Sequence, residues 1–352
     1  MEQEKKVILL AGPTASGKSK LAIKLAQYFN GEIINADSMQ IYKEFSIITS
    51  KPNLQDTKII RHHLYGFNSV KKKFSTGHWL QMAINKIEEQ WKDGKTPIVV
   101  GGSGLYFKAL TDGLVKIPDI PNNLRTIVRR QHKKVGQKVF FKSLIKLDPL
   151  AKSFILPSDS QRSMRAYEVK KFTNKSLFEL IKGTKSNFNN SVFKKLFINT
   201  PKELLNKKIE KRVEKMFDEG AVEEVKFFLK MKVYHELSSN KIIGIKEIRD
   251  YLKGKTTVIK AKELISQKTR QYAKRQFTWA RGHMKSWEMI YSPNTNDLFE
   301  KAISNNASIL IPESHDIRVQ KAIKKLQSMG FNVLHVDDFK NNDKYFDFKK
   351  TN

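Results

Sequence analysis

The feature that most constrains the fold is a glycine-rich run at residues 12–19, GPTASGKS, preceded by the apolar segment 7–10. It matches G-x-x-x-x-G-K-[ST], the pattern of a phosphate-binding loop between a buried strand and a helix. After Lys18, apolar residues recur at helical spacing as far as Phe29, so the required helix is also predicted. The glycines let the backbone curl so that its N–H groups and the positive end of the helix dipole face an anion.

Two side chains of this loop can also help to bind a phosphate group. Lys18 supplies a point charge, and the Ser19 hydroxyl can ligate Mg²⁺, which is the expected cofactor. The candidate phosphate-binding residues are Gly12, Pro13, Thr14, Ala15, Ser16, Gly17, Lys18 and Ser19.

Further strands and helices alternate along the chain after this loop. Apolar segments at 32–36, 97–100 and 195–198 are typical of buried parallel strands, and helices are predicted over 79–91, from Pro201 and over 261–281. This alternation predicts an α/β fold, a P-loop NTPase-like parallel sheet flanked by helices.

Changes in composition and in predicted secondary structure along the chain predict its domains. Residues 1–117 form the first part of the core, residues 118–192 a mostly helical and basic insert, and residues 193–292 the rest of the core with long helices. Residues 293–352 form a short C-terminal extension that reads as strand, helix and strand and has no assigned role.

The charge balance points to a polyanionic partner. Lys and Arg total 66 against 35 Asp and Glu, a formal net charge of +31. Such a surface attracts nucleic acid. The same excess of lysine could also be solvated surface without a partner, and charge alone leaves both interpretations open.

Other bulk properties exclude several classes of protein. The absence of cysteine excludes disulfides and thiolate metal sites. No apolar run approaches the roughly 18 residues that cross a membrane, and the polar start lacks a secretory signal. A cytoplasmic protein is therefore expected.

Asp37 is the carboxylate available to the phosphate loop. In hydrolytic NTPases a further strand usually ends in an acid that holds Mg²⁺. Here the strand at 97–100 runs into Gly-Gly-Ser-Gly, whereas Asp37 follows the strand at 32–36. Parallel strands end around one crevice, which favours catalysis, but Asp37 or Ser38 could equally cap a following helix.

Three histidines are candidate metal ligands. His62, His63 and His78 have no third ligand at usable spacing and are interpreted as ordinary loop residues.

Six segments together resemble the bacterial tRNA dimethylallyltransferases. They occur in that family's order and spacing between about residues 5 and 290. They are 12–19 (GPTASGKS), 37–43 (DSMQIYK), 49–52 (TSKP), 101–110 (GGSGLYFKAL), 161–169 (QRSMRAYEV) and 269–279 (TRQYAKRQFTW).

The resemblance implies a reaction. The family transfers a dimethylallyl group from dimethylallyl diphosphate to N6 of the adenosine next to the anticodon of tRNA. The phosphate loop would then hold a diphosphate leaving group, and Lys18, the loop N–H groups and Mg²⁺ would stabilise its charge. Asp37 would be the general base for the amine, and Ser103, where the family usually has Thr, would hydrogen-bond at the reacting end. The implied catalytic residues are thus Asp37, Lys18 and Ser103.

The resemblance also implies partners and contacts. Gln40 and Gln161 would read a base edge, Arg162 and Arg165 would hold phosphates, and the whole implied tRNA-binding set is Asp37, Ser38, Met39, Gln40, Ser103, Arg125, Gln161, Arg162, Ser163, Met164 and Arg165. Arg270 and Arg275 are expected on the diphosphate side, with surface decoration as the alternative. The partners expected of a monomer are the tRNA anticodon stem-loop and dimethylallyl diphosphate, with no membrane.

One stretch departs from the family pattern, and two other functions compete. Ser46 replaces an acid, and Ile48 replaces a glycine, which would strain the turn if that position needs a positive φ. The alternatives are a P-loop ATPase or small-molecule kinase with an RNA-binding insert, and a prenyltransferase acting on free AMP.

Overall fold

A parallel six-stranded sheet forms the centre of the chain. The computed structural model describes residues 5–304, 308–311, 319–321, 323 and 332–335. The strands are β1 (Val7–Ala11), β2 (Gly31–Asn35), β3 (His62–His63), β4 (Thr96–Gly101), β5 (Phe193–Ile198) and β6 (Glu288–Ile290). Their order in the sheet is β3-β2-β4-β1-β5-β6, and every neighbouring pair is parallel. The predicted α/β parallel sheet is confirmed.

Helices make up most of the remaining described structure. In chain order they are α1 (Lys18–Tyr28), α2 (Leu54–Ile59), α3 (Thr76–Lys92), α4 (Gly104–Asp112), α5 (Asn122–Leu147), α6 (Ala151–Phe154), α7 (Ser160–Thr173), α8 (Leu177–Lys182), α9 (Lys202–Asp218), α10 (Ala221–Lys230), α11 (Ile245–Leu252), α12 (Val258–His283) and α13 (Thr295–Ser304).

The sheet is buried on both faces, as its uninterrupted apolar strands predict. Every residue of β1 is buried, and the apolar stripe of α1, which includes Leu21 and Leu25, packs with Ile33 and Ile98 in one cluster. Because α1 begins at Lys18, this packing fixes the helix whose N-terminus ends the phosphate loop.

A second apolar cluster joins the later helices to the segment after β2. Ile209 and Val213 of α9, Val225 of α10 and Ile265 of α12 are buried there with Phe45. This cluster brings α9, α10 and α12 beside residues 36–51, although these segments are distant in sequence.

The chain separates into two compact units, and the second is residues 107–190. Its own core includes Leu144, Ala151, Ala166 and Phe178, and its longest helix, α5, is interrupted where Gly136 has φ 73°. Ser186 Oγ donates to the Leu110 carbonyl at 2.8 Å. This contact lies within the second unit, which includes the end of α4 and begins at residue 107, whereas the sequence predicts an insert from residue 118.

The C-terminal extension contributes a separate two-stranded sheet. Strands β7 (Ser308–Ile311) and β8 (Asn332–His335) pair in parallel, as the predicted strands require. The helix predicted between them lies mostly outside the described residues. In the described part of the chain, no helix is long and apolar enough to cross a membrane.

The interpretation of the histidines as loop residues was wrong. His62 and His63 form β3 at the sheet edge, and His78 lies in the first turns of α3. His63 Nε2 lies 2.5 Å from Glu32 Oε2, and Lys95 donates to the other carboxylate oxygen. This buried carboxylate holds the short strand against β2.

Candidate active site

The phosphate loop has the curled backbone that its sequence predicts. Gly17 has φ 94° and Ala15 has φ 63°, so the loop contains two left-handed residues, one of which carries a side chain. Lys18 Nζ donates to the Pro13 carbonyl at 3.0 Å, across the loop. Among the described residues, no polar atom pairs with the buried Ser16 Oγ. The loop thus holds its lysine and a hydroxyl ready for a further partner.

Two side chains from the later helices hold the loop. Arg212 Nη1 of α9 donates to Thr14 Oγ1 at 2.8 Å. Gln276 of α12 accepts from the Thr14 N–H at 2.9 Å and donates to the Gly102 carbonyl at 3.0 Å. Gln276 therefore connects the loop after β1 with the loop after β4. Neither residue was identified from the sequence as a site residue, because each contact spans about two hundred residues or more.

The Gly-Gly-Ser-Gly run after β4 permits close backbone approach. A Cβ on Gly101 would lie 2.1 Å from the Ala36 carbonyl oxygen. One on Gly102 would lie 2.1 Å from Gln276 Nε2, and one on Gly104 would lie 2.2 Å from a Trp279 ring atom. The glycines let the chain leaving β2 pass over the end of β4, and this brings Asp37 towards the phosphate loop.

Asp37 lies in a tight turn and not at a helix terminus. Its N–H donates to Asn35 Oδ1 at 2.8 Å, Asn35 Nδ2 donates to its carbonyl at 3.0 Å, and its Oδ1 accepts from the Met39 N–H at 2.9 Å. The described residues 36–52 contain no helix, and α2 is capped by Asn53. The capping alternative for Asp37 and Ser38 is therefore wrong.

Ser103 stabilises the same turn from the other side. Its Oγ accepts from the Ser38 N–H at 2.9 Å and donates to Ser38 Oγ at 3.2 Å. The hydroxyl that replaces the family's usual threonine thus acts on the backbone beside Asp37.

Two adjoining cavities meet at Asp37. The larger, about 820 Å³, is polar and is lined by Lys18, Ser19, Lys51, Tyr65 and Lys215 among others. The smaller, about 210 Å³, is lined mainly by apolar side chains, which include Met39, Ile48, Ile209, Val213, Ile242, Ile243 and Ile265. Both are lined by Thr14, Asp37, Thr49, Arg212 and Met216. A ligand with a polar and a small apolar end fits this arrangement.

The charges in the polar cavity favour an anion. Burial lowers the pKa of Lys18 to about 8, against the opposing effect of the Asp37 carboxylate, and the nearby Arg212 lowers it further. Burial also lowers the pKa of Arg212, again opposed by Asp37. Two partly desolvated cations thus face one carboxylate, and an incoming anion would relieve their mutual repulsion.

Phenols surround the same carboxylate. Burial, followed by the negative charge of Asp37, raises the pKa of Tyr65 and Tyr272, and the same two effects raise that of Tyr106. These hydroxyls therefore remain protonated at neutral pH and are available as hydrogen-bond donors.

Comparison with known families identifies the family of this chain. A family model described as IPP transferase matches residues 40–283. The chain belongs to the IPP transferase family. A relative from Pelagibacter ubique (strain HTCC1062), a tRNA dimethylallyltransferase, is 55% identical over 287 residues, which are 82% of this chain and 92% of that protein. A tRNA dimethylallyltransferase of Rickettsia massiliae (strain Mtu5) is 44% identical over 287 residues, 80% of this chain and 78% of that protein.

Two solved structures are similar to this IPP transferase family member over most of its length. The full-length tRNA isopentenylpyrophosphate transferase of Bacillus halodurans has a TM-score of 0.61 at 27% identity and covers 93% of this chain and 98% of its own. A eukaryotic dimethylallyltransferase, described as acting on tRNA, has a TM-score of 0.73 at 29% identity, over 94% of this chain and 85% of its own.

The structure brings Arg275, but not Arg270, to the cavities of this IPP transferase family member. Arg275 lines the apolar cavity, whereas Arg270 lines a separate groove and its Nη1 lies 3.1 Å from Glu210 Oε1. Five residues along a helix rotate a side chain by about 140°, so the two arginines face different sides of α12. The assignment of Arg270 to the diphosphate side is therefore corrected.

Gln40 is engaged within the protein. Its Nε2 donates to the Thr49 carbonyl at 2.9 Å and to the Ser50 carbonyl at 2.7 Å. Both hydrogens of the amide are thus engaged within the protein, and the contact of Gln40 with a base edge stays a prediction.

Several predicted RNA contacts belong to the second unit and lie on or near α7. Gln161 and Arg162 are exposed, Met164 is partly exposed, and Arg165 lies 3.6 Å from Glu168. Ser163 is buried, and its Oγ donates to the Asp159 carbonyl and accepts from Gln137, so its tRNA contact stays a prediction.

Arg125 lies on α5 of the same unit. Its Nε is buried and has no hydrogen-bond partner among the described residues. Its charge, with that of Arg165, opposes the effect of burial, which raises the pKa of Glu168. The second unit thus contains a basic cluster around one buried carboxyl group.

The backbone is unstrained at Ile48, the position where the family usually has glycine. Within 46–51, the residue with positive φ is Ser50, at 49°, and Ile48 is instead buried in the apolar cluster with Phe45. The condition for strain at Ile48 is therefore not met, since the left-handed position lies two residues later.

Proposed function

We propose that this chain transfers a dimethylallyl group from dimethylallyl diphosphate to the N6 amine of the adenosine adjacent to the anticodon of tRNA. One observation carries the proposal: the phosphate loop and Asp37 line one polar cavity, and Asp37 also lines the adjoining apolar cavity. The names of the Pelagibacter and Rickettsia relatives support the same reaction.

The polar cavity suits the diphosphate. Lys18, Arg212 and the loop N–H groups converge on it, and they would stabilise the charge that develops as the diphosphate departs. No water needs to be aligned on a terminal phosphate in this reaction, which accounts for the glycines where a hydrolytic NTPase has an acid.

The donor set in this cavity fits Mg²⁺. The Ser19 hydroxyl is a hard oxygen ligand in this cavity. Among the described residues, no group of three His, Cys, Asp or Glu could hold a metal alone, so phosphate oxygens would complete its shell. When bound, Mg²⁺ would neutralise charge on the leaving diphosphate.

The apolar cavity suits the alkyl group. Its volume of about 210 Å³ and its isoleucine lining match a short branched hydrocarbon. Held there, the reacting carbon would lie between the phosphate loop and Asp37.

Asp37 would accept the proton of the amine. An exocyclic amine is a weak nucleophile because its lone pair is delocalised into the ring, and a positioned base contributes about 10²–10⁴-fold to such a step. The target base must first leave its stack, which costs a few kcal/mol. Asn35 fixes the Asp37 backbone, and the Met39 N–H holds the carboxylate for that purpose.

The direct test is incubation of the full chain with labelled dimethylallyl diphosphate and unmodified tRNA, followed by digestion and chromatography of the nucleosides. We expect labelled N6-alkylated adenosine and release of diphosphate only when tRNA is present. RNA-stimulated hydrolysis of ATP without alkylation would favour the ATPase or kinase instead, and labelling of free AMP would favour the mononucleotide enzyme. Light scattering would test the proposed monomer.

Asp37→Asn separates the catalytic and structural roles of the carboxylate. The amide keeps an acceptor for the Met39 N–H but cannot take a proton, so we expect kcat to fall by about 10²–10⁴-fold while tRNA affinity stays within about twofold. Steady-state kinetics and filter binding measure the two quantities. Lys18→Ala, by contrast, should weaken both pyrophosphate binding and kcat. Lost tRNA affinity with unchanged kcat in Asp37→Asn would make Asp37 a structural residue.

A further inference from the structure

One wall of both cavities is a short loop that α10 holds from outside the site. We call residues 46–51 the wall loop. It is closed by two backbone hydrogen bonds, from the Ser50 N–H to the Ile47 carbonyl and from the Lys51 N–H to the Ser46 carbonyl, each 3.0 Å long. Thr49, at its centre, lines the polar and the apolar cavity. The position of this loop therefore sets the shape of the space where the proposed substrates meet.

Glu224 binds three successive amides of the wall loop. Its Oε1 accepts from the Ser46 N–H at 2.5 Å and from the Ile47 N–H at 2.9 Å, and its Oε2 accepts from the Ile48 N–H at 2.9 Å. Hydrogen bonds to a charged acceptor are about twice as strong as neutral ones. One carboxylate therefore holds three successive backbone N–H groups of the wall loop by strong hydrogen bonds.

The helix that carries Glu224 is itself fixed. Val225 and Phe228 of α10 are buried in the same apolar cluster as Phe45 and Ile48, and the Phe45 and Phe228 rings lie 4.9 Å apart. Glu224 is thus a rigid anchor, since neighbouring residues on both chain segments are packed together.

The wall loop is connected to Asp37 through Gln40. The Gln40 side chain donates to the Thr49 and Ser50 carbonyls, and its backbone N–H donates to the Asp37 carbonyl at 3.2 Å. A continuous set of contacts therefore runs from α10 through the loop to the turn that carries the proposed base. The phosphate loop is not part of this set, because Arg212 and Gln276 hold it separately.

We propose that Glu224 is a positioning residue for alkyl transfer, which acts by fixing the wall loop and, through Gln40, the Asp37 turn. It does not line either cavity and acts only through the loop. The inference rests on the proposed function, and it predicts loss of catalytic rate without loss of diphosphate binding.

Glu224→Ala and Glu224→Gln test the proposal against Glu223→Gln as the matched control. Glu223 is exposed in the same first turn of α10, one residue nearer the helix N-terminus, so its change removes the same charge from the adjacent position. We expect kcat at saturating substrates to fall about 10–100-fold in Glu224→Ala, since small misplacements of reacting groups have effects of that size. Pyrophosphate affinity should stay within about twofold, and the control should keep wild-type kcat.

Hydrogen exchange and a conservative variant distinguish positioning from stability. Exchange of the amides at 46–48 should increase by about tenfold or more in Glu224→Ala relative to the remaining amides of the sheet core. Glu224→Asp keeps the charge and both acceptors at a shorter reach, so its kcat should lie between those of the wild type and Glu224→Ala. Glu224→Gln, which keeps one acceptor, is the second folded variant if Glu224→Ala does not fold.

Two results would overturn the inference. The first is wild-type kcat in folded Glu224→Gln or Glu224→Ala, whatever their thermal stability. The second is an equal loss of kcat in Glu223→Gln, which would show that charge near α10, and not the amide contacts, matters. Absence of alkylated adenosine with the wild-type chain would instead refute the proposed function, so the two failures can be told apart.

Discussion

At the scale of single residues, Lys18, Arg212 and Asp37 form a partly desolvated group of charges. Removing cations from water is unfavourable unless opposite charge compensates, and here one carboxylate opposes two cations. Arg212 keeps its charge across the accessible pH range, whereas the lowered pKa of Lys18 makes its charge sensitive to mildly alkaline pH. The diphosphate affinity should therefore depend on Lys18 in a measurable way.

Pyrophosphate affinity should fall above about pH 8 because Lys18 loses its proton there. The anion binds the ammonium form, so affinity is fully present below this pKa and declines by up to about tenfold per pH unit above it. Calorimetry from pH 6.5 to 9.5 measures the profile. Lys18→Arg is the control, since arginine stays charged and any remaining slope belongs to pyrophosphate itself. Parallel profiles for the two proteins would contradict the assignment.

At the scale of elements, α12 and the glycine run after β4 build the site together. Tyr272, Arg275, Gln276 and Trp279 are spaced 3, 4 and 7 residues apart and share one face of α12, while Arg270 lies off that stripe. This face packs on the glycines, because Gln276 contacts Gly102 and Trp279 covers Gly104. The helix α12 therefore supports both loops of the site.

Gly101→Ala should disturb the site from outside it. Its Cβ would lie 2.1 Å from the Ala36 carbonyl oxygen, a backbone atom that cannot rotate away. Overpacking of this kind costs about 1–3 kcal/mol in the free energy of unfolding, and the shift should reach Asp37 and lower kcat. Urea titration and steady-state kinetics measure both effects. Gly282→Ala is the control: no described atom lies within 4 Å of its Cβ, and alanine should stabilise α12 slightly.

At the scale of the whole molecule, the net charge of +31 has two interpretations that differ in the salt dependence they predict. A surface that binds RNA releases counterions from the phosphates it engages, whereas a merely solvated surface releases few. Exposed basic residues on α7, such as Arg162, are the candidates for phosphate contacts in the second unit.

The salt dependence of tRNA affinity distinguishes these interpretations. For single-stranded contacts the logarithm of the association constant falls with a slope of roughly −0.7 per phosphate, so five contacts would give about −3.5. Filter binding at several salt concentrations measures this slope, and Arg162→Ala should reduce its magnitude by about 0.7. Lys92→Ala, an exposed change on α3, should leave it unchanged. A slope near zero would favour a mononucleotide substrate.

The sequence alone determined the local features of this protein. The phosphate loop, its flanking strand and helix, and the buried parallel strands follow from short-range patterns, because hydrophobic period and glycine placement act within a few residues. The family resemblance identified Asp37 as the candidate base. Sequence could not tell whether Asp37 caps a helix, since that depends on the turn which Asn35 and Ser103 stabilise.

Only the tertiary structure decided which distant side chains complete the site. Arg212 reaches Thr14 across 198 residues, Gln276 reaches it across 262, and Glu224 reaches Ser46 across 178. No local pattern distinguishes these residues from neighbouring polar residues on the same helices. Their partners are set by the packing of α9, α10 and α12 on the apolar cluster, which brings together segments that the chain itself keeps far apart.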